Sequence, residues 1–147
     1  MVSKQVDLWR SDFGESYAQR GNNRITEDGQ AALLRDWGKI LGHANSPRPQ
    51  SALEVGCNIG RNLVALQHFV PTLHGIEPNR FACEQARQNE ALSGATIQEG
   101  EGSALPYTDN SIDLVFTSGV LIHVAPENLG GVVDEIVRVA RHYIVCI

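Results

Sequence analysis

Leu53-Glu54-Val55-Gly56-Cys57-Asn58-Ile59-Gly60-Arg61-Asn62-Leu63 is the stretch on which the fold turns. A short apolar strand, Ser51–Val55, runs into Gly56, and residues 62–69 continue at helical spacing with Leu63, Leu66 and Phe69 available to pack. A strand therefore feeds a glycine-rich turn that opens a helix. Gly56 and Gly60 permit tight backbone geometry and close approach of a ligand. Asn58 fits between them, because asparagine visits the left-handed region more readily than most residues. Free N–H groups at the helix start favour negative charge. Taken alone, the same turn is equally an ordinary strand-to-helix connection with two structural glycines.

Outward from this turn, strands alternate with helices. Residues 73–76 read as a second strand, and 79–92 as a second helix with Phe81, Ala82 and Ala86 on its apolar side. Residues 95–98 form a third strand. The near-continuous apolar run at 112–117 makes the fourth, buried on both faces. Pro126 suits the first position of a helix, where its missing N–H costs nothing. Leu129, Val132, Val133, Ile136, Val137 and Ala140 then form one wide apolar stripe. Residues 142–147 are a fifth strand. Such alternation implies an α/β fold with a mainly parallel sheet and right-handed crossovers; the expected strand order is 3-2-1-4-5.

Ahead of this core, residues 1–50 read as an N-terminal helical cap or lid with a connector, and 51–147 as the ligand-binding core of one compact domain. Trp9, Phe13 and Tyr17 are spaced by four, compatible with a short helix. Thr26 suits an N-cap, after which Ala31, Leu34, Trp37 and Leu41 recur at helical spacing. Residues 43–50, with Pro47 and Pro49, read as the connector.

Composition narrows the function. The chain has 147 residues, room for one core, with 42% hydrophobic and 20% charged residues. Its net charge of -5 and lack of a Lys/Arg stripe disfavour nucleic acid as a partner. Cys57, Cys83 and Cys146 form neither a CxxC pair nor a Cys/His cluster, so neither a disulfide framework nor a metal site is expected. No apolar run approaches the ~18 residues of a membrane span. The N-terminus lacks the apolar core of a signal peptide. These features together suggest a soluble, cytoplasmic protein.

In parallel α/β sheets, ligands bind beyond the C-terminal strand ends. Glu77 ends the second strand, 21 positions after Gly56. An acidic residue about 20 positions beyond the glycine turn is placed to meet a ribose diol. The competing view is a solvated glutamate at a strand end.

The run from Leu53 to Gly60 resembles motif I of class I S-adenosylmethionine-dependent methyltransferases, an acidic residue followed by x-G-x-G-x-G. Gly100-Glu101-Gly102-Ser103-Ala104-Leu105-Pro106-Tyr107 and Asn110-Ser111-Ile112-Asp113-Leu114-Val115 resemble that family's adenine-side loop and fourth strand. The resemblance implies a Rossmann-like core that binds S-adenosylmethionine and releases S-adenosylhomocysteine. It assigns Glu54 to the glycine turn and the methionine amino group, and Gly56, Cys57, Asn58 and Gly60 to backbone approach. Glu77 and the adjoining Pro78 would lie at the ribose, and Glu101 and Gly102 at the adenine. Ser118 and Gly119 would lie beside the methionine part. Asn58 replaces the family's usual middle glycine.

Trp9, Phe13-Gly14-x-x-Tyr17-x-x-Arg20 and Gly56-Cys57-Asn58-Ile59-Gly60-Arg61-Asn62-Leu63 resemble, more narrowly, the small methylases associated with pseudaminic acid (nonulosonic acid) biosynthesis. That resemblance implies a lid with Tyr17 and Arg20 near the methionine carboxylate or the acceptor, a small molecule such as a sugar or sugar-acid derivative. An Arg fork suits a carboxylate. An amphipathic surface helix accounts equally for Tyr17 and Arg20. His123, after the fourth strand, is the candidate catalytic base for an acceptor hydroxyl or amine; packing within its loop is the alternative. His43, His68, His74 and His142 have no partners at useful spacing.

Two other readings compete. A nicotinamide dehydrogenase would show G-x-G-x-x-G, but Asn58 and Arg61 stand at its second and third glycines. The class I methyltransferases usually continue into a sixth and an antiparallel seventh strand, and the pattern here has neither. Either the chain is shortened, or self-association through an exposed apolar fifth strand supplies the missing pairing. The second reading is then a non-catalytic, donor-binding or self-assembling module.

Overall fold

The computed structural model describes residues 4–43 and 47–147, so part of the connector expected at 43–50 lies outside the described residues. Five strands, β1 (Ser51–Val55), β2 (Thr72–Glu77), β3 (Thr96–Glu99), β4 (Ile112–Thr117) and β5 (Ala140–Cys146), form one sheet in the order β3-β2-β1-β4-β5. Every neighbouring pair is parallel. The Rossmann-like α/β fold and its strand order are as the alternation of elements implies. Among the described residues no helix is long and apolar enough to cross a membrane.

Among the described residues six α-helices accompany the sheet: α1 (Lys4–Arg10), α2 (Asp12–Ala18), α3 (Glu27–Gly42), α4 (Arg61–Leu66), α5 (Arg80–Gln88) and α6 (Pro126–Val139). Because side chains alternate across a strand, the central strands feed two apolar layers. Ala52, Leu114 and Phe116 face Trp37 of α3, Leu63 and Leu66 of α4, and Ala86 of α5. Leu53, Val55 and Val115 face Val132, Ile136 and Val139 of α6. β4 is buried along its whole length, which is why its apolar run does not alternate. Thr26 caps α3 by accepting from the Gly29 N–H at 3.2 Å.

Several boundaries differ from the sequence pattern for local reasons. α4 ends at Leu66, and Phe69 is 40% exposed. Pro71 disfavours helical backbone at the residue before it, so the chain must already be leaving the helix there. The helix expected over 79–92 is two pieces, α5 and a 3-10 turn at Glu90–Leu92, because Asn89 is extended and its side chain caps the Ala91 N–H. The stripe on α6 is narrower than its composition suggests: Val132, Ile136 and Val139 are buried, whereas Val133 and Val137 are 39% and 56% exposed. Two histidines gain neighbours that spacing does not show. The His74 ring lies 5.3 Å from that of Tyr107, and half-burial pushes its pKa down. His142 Nε2 stands 3.9 Å from an Asp113 oxygen.

Candidate functional site

The C-terminal ends of β1, β2 and β4 open onto a pocket of about 400 Å³. Its floor is the turn after β1, where Gly56, Asn58 and Gly60 have φ of +79°, +50° and +81°. The Gly56 and Cys57 N–H groups both donate to the Ile76 carbonyl, at 2.8 and 3.0 Å, which ties the turn to β2. A side chain at Gly56 would run into Val120, on the loop after β4. Gly60 serves differently. It does not line the pocket, and its missing side chain leaves room for Leu92.

Two buried carboxylates dominate the floor. Glu77 is 8% exposed; its Oε2 accepts from the Asn58 N–H and its Oε1 from the Asn79 N–H, both at 2.9 Å. Burial raises its pKa, and the two N–H groups oppose the rise. A carboxylate has about four acceptor positions, so Glu77 keeps acceptor capacity while its orientation is fixed by backbone. Glu54 is 2% exposed, and its Oε1 accepts from Asn62 Nδ2 at 2.6 Å. Its Oε2 is buried without a hydrogen-bond partner among the described residues. Burial pushes its pKa up to about 8, against the Asn62 bond; the Glu77 charge adds to the rise, and Arg61 opposes it.

The walls come from loops and from the N-terminal helices. Glu101 and Gly102 lie after β3, and Ser118 and Gly119 after β4; all four line the pocket, as does Pro78. A Cβ at Gly102 would come within 2.9 Å of Val55 and 3.1 Å of Val132, so only glycine lets this backbone lie so close. Cys57 is buried at the floor, where burial and then the Glu54 and Glu77 charges hold its thiol well above the ordinary value. A thiol held so is no nucleophile. Among the described residues, no three His, Cys, Asp or Glu side chains group as a metal site would require.

α1 and α2 roof the pocket with Gln5, Trp9 and Tyr17. The Trp9 ring meets Phe13, Tyr17 and His123 at centroid distances of 5.3, 5.2 and 5.1 Å. His123, in the 3-10 turn Leu121–His123, thus both lines the pocket and touches the roof. Arg20 departs from the sequence expectation. It is exposed and outside the lining, with its guanidinium 5.0 Å from the Tyr17 ring centroid and 6.0 Å from that of Phe13. The ring faces attract the cation.

Sequence reading misses Asn62 and the amides of Gln5, Asn23 and Asn128 in the lining, and Asn79, which lies outside the lining and bonds the Trp9 carbonyl. For Asn62 a local signal exists, since it lies in the first turn of the helix that follows the glycines and can reach back to Glu54. The others are brought in by chain folding and leave no local pattern.

The model of the methyltransferase domain family matches residues 53–144. An uncharacterized methyltransferase of Mycobacterium avium is 32% identical over 112 residues, which are 76% of this chain and 43% of that protein. Among solved structures, the phosphoethanolamine N-methyltransferase of Haemonchus contortus, in complex with phosphoethanolamine and S-adenosylhomocysteine, superimposes with a TM-score of 0.73 at 19% identity. That match covers 96% of this chain and 31% of the other. The magnesium protoporphyrin IX methyltransferase of Synechocystis, with bound S-adenosylmethionine, gives a TM-score of 0.68 at 15% identity, over 95% and 73% of the two chains. At these identities the two structures speak for the fold alone. The chain spans about half the length, or less, of the curated relatives it matches. The match over residues 53–144 takes in the glycine turn, both carboxylates and the strand ends that frame the pocket, and it places the chain in the methyltransferase domain family.

Proposed function

We propose that this chain binds S-adenosylmethionine in the pocket and directs methyl transfer to a small-molecule acceptor. The observation that carries this reading is the pair of buried carboxylates with acceptor capacity left over, Glu54 through its Oε2, which has no hydrogen-bond partner among the described residues, and Glu77 through the rest of its two oxygens. Glu77 would take the two ribose hydroxyls. Glu54 would take the methionine ammonium, with Asn62 fixing its other oxygen. Glu101 and Gly102 would face the adenine, Ser118 and Gly119 the methionine part, and Tyr17 the mouth. When bound, the donor supplies an electrophilic methyl group on a sulfonium. The chain's own contribution is alignment and exclusion of water beneath the Trp9 roof. His123 would accept the acceptor's proton. The nicotinamide alternative has no support in the family assignment.

For the acceptor, the narrower resemblance implies a sugar or nonulosonic-acid derivative, handled in the cytoplasm. Trp9 and Tyr17 in the lining, beside the amides of Gln5, Asn23 and Asn128, would give a hydroxylated ring apolar contact and hydrogen bonds. Replacing His123 with alanine should lower turnover on the order of 100-fold and leave donor affinity within about twofold. Steady-state kinetics beside a donor titration checks this; unchanged turnover would leave His123 only a packing partner of Trp9.

The buried state of Glu54 gives a pH signature. With its pKa near 8, Glu54 is largely protonated in the free chain at pH 7, and an incoming ammonium favours the ionised form. Donor binding should release a proton, and affinity should rise with pH until about 8, above which the carboxyl is already ionised. Calorimetric titration in two buffers of different ionisation enthalpy should show the release, and Glu54→Gln should abolish it. Identical heats in both buffers would contradict the role of Glu54.

A second reading rests on β5, which forms one end of the sheet, with Ile144 44% exposed. In this reading β5 pairs with a second copy and the chain acts as a donor-binding, self-assembling module. Light scattering across a concentration series should then report a dimer, and a monomer throughout would exclude edge pairing.

A further inference from the structure

We propose that Asn79 is a positioning residue that fastens the α1–α2 roof to the donor pocket, a role that rests on reading the pocket as a donor site. Asn79 is 4% exposed and uses its whole side chain and its N–H. Its backbone N–H donates to Glu77 Oε1, at 2.9 Å, and its Oδ1 caps α5 by accepting from the Ala82 N–H, at 3.0 Å. Its Nδ2 donates out of the core to the Trp9 carbonyl at 2.9 Å and, more weakly, to that of Ser11 at 3.4 Å. One residue thus joins the ribose-facing carboxylate, a helix start and the junction of α1 with α2.

The roof is thin: α2 buries only Gly14 and Ala18 and packs against α5. α1 and α2 have seven residues each, well under the length at which a helix is stable alone. α1 buries none of its residues. A second observation points to the same contact. Gly14 of α2 sits so close that a Cβ there would overlap the Trp9 carbonyl and come within 2.7 Å of Asn79 Nδ2. Glycine, with no Cβ, lets this amide reach the roof backbone. Through Trp9, whose ring meets His123, the latch sets the placement of the roof over the pocket.

Asn79→Ser separates the latch from the cap, since serine is a good N-cap and keeps the backbone N–H to Glu77 but has no Nδ2. Hydrogen exchange of the ligand-free chain should rise about tenfold over residues 4–18 and stay unchanged in β1, β2 and β4. S-adenosylhomocysteine should dissociate about tenfold faster, with little change in association. If the serine variant fails to fold, Asn79→Asp, which keeps a cap oxygen but has no N–H to donate to the Trp9 carbonyl, should show the same pattern. Unchanged exchange over residues 4–18 in a folded variant would overturn the proposal. The exchange arm uses no ligand, so a wild-type chain that does not bind S-adenosylhomocysteine would sink the donor reading and leave the latch tested separately.

Discussion

Glu77→Ala is expected to weaken S-adenosylmethionine binding at least about 100-fold, since each hydrogen bond to a charged group contributes roughly 1.5–3 kcal/mol and a ribose diol makes two. The effect should be large because the Asn58 and Asn79 N–H groups aim the carboxylate before any ligand arrives. Those donors also lose their partner in the alanine variant, so the fold needs its own check. Glu77→Gln keeps the shape but turns an NH2 toward one of those backbone N–H groups, and should lose at least about tenfold. Calorimetric titration with circular dichroism on the same samples reads both. Near wild-type affinity in a folded alanine variant would place the ribose elsewhere.

Trp37→Ala should produce the largest loss of stability. Trp37 is 1% exposed, and its ring meets Phe116 of the buried central strand β4 edge-on, at 4.7 Å. Removing a fully buried tryptophan costs about 3–5 kcal/mol, through lost transfer energy and the cavity left behind. That corresponds to a fall of roughly 10 °C in Tm for a chain of this size. The site lies on α3, within residues 1–50, so the result also reads how far this segment depends on the core. Thermal unfolding showing a shift under 2 °C would mean that α3 packs only loosely.

The fold was legible where backbone chemistry restricts residue choice. Positive φ at Gly56, Asn58 and Gly60 admits few residue types, so the turn after β1 can be read directly. The offset to Glu77 follows from the length of one strand–helix–strand unit. β4 could be read because a strand covered on both faces loses its alternation. What stayed hidden depended on which of two local options tertiary contacts select. Apolar spacing continues through Leu92, and only the Asn89 cap breaks α5 from the turn that follows. Val133 and Val137 are as apolar as Val132 and Ile136, and only the position of the sheet decides which are covered.

The site divides along the same line. Glu54, Asn58 and Glu77 stand on strand ends and one turn, so their convergence follows from the fold. Arg20 is exposed with its guanidinium beside the Tyr17 and Phe13 rings, a placement that spacing cannot orient. Asn79 meets Trp9 across 70 positions of chain, and no local pattern announces such a bond. Long-range polar contacts of this kind reach the roof, which is why the pocket floor is far easier to read than its roof.

The most direct test of the account is calorimetric titration of the unmodified chain with S-adenosylmethionine and S-adenosylhomocysteine near pH 8, where Glu54 is about half ionised. The account predicts saturable one-to-one binding of both. A folded chain that binds neither would contradict it.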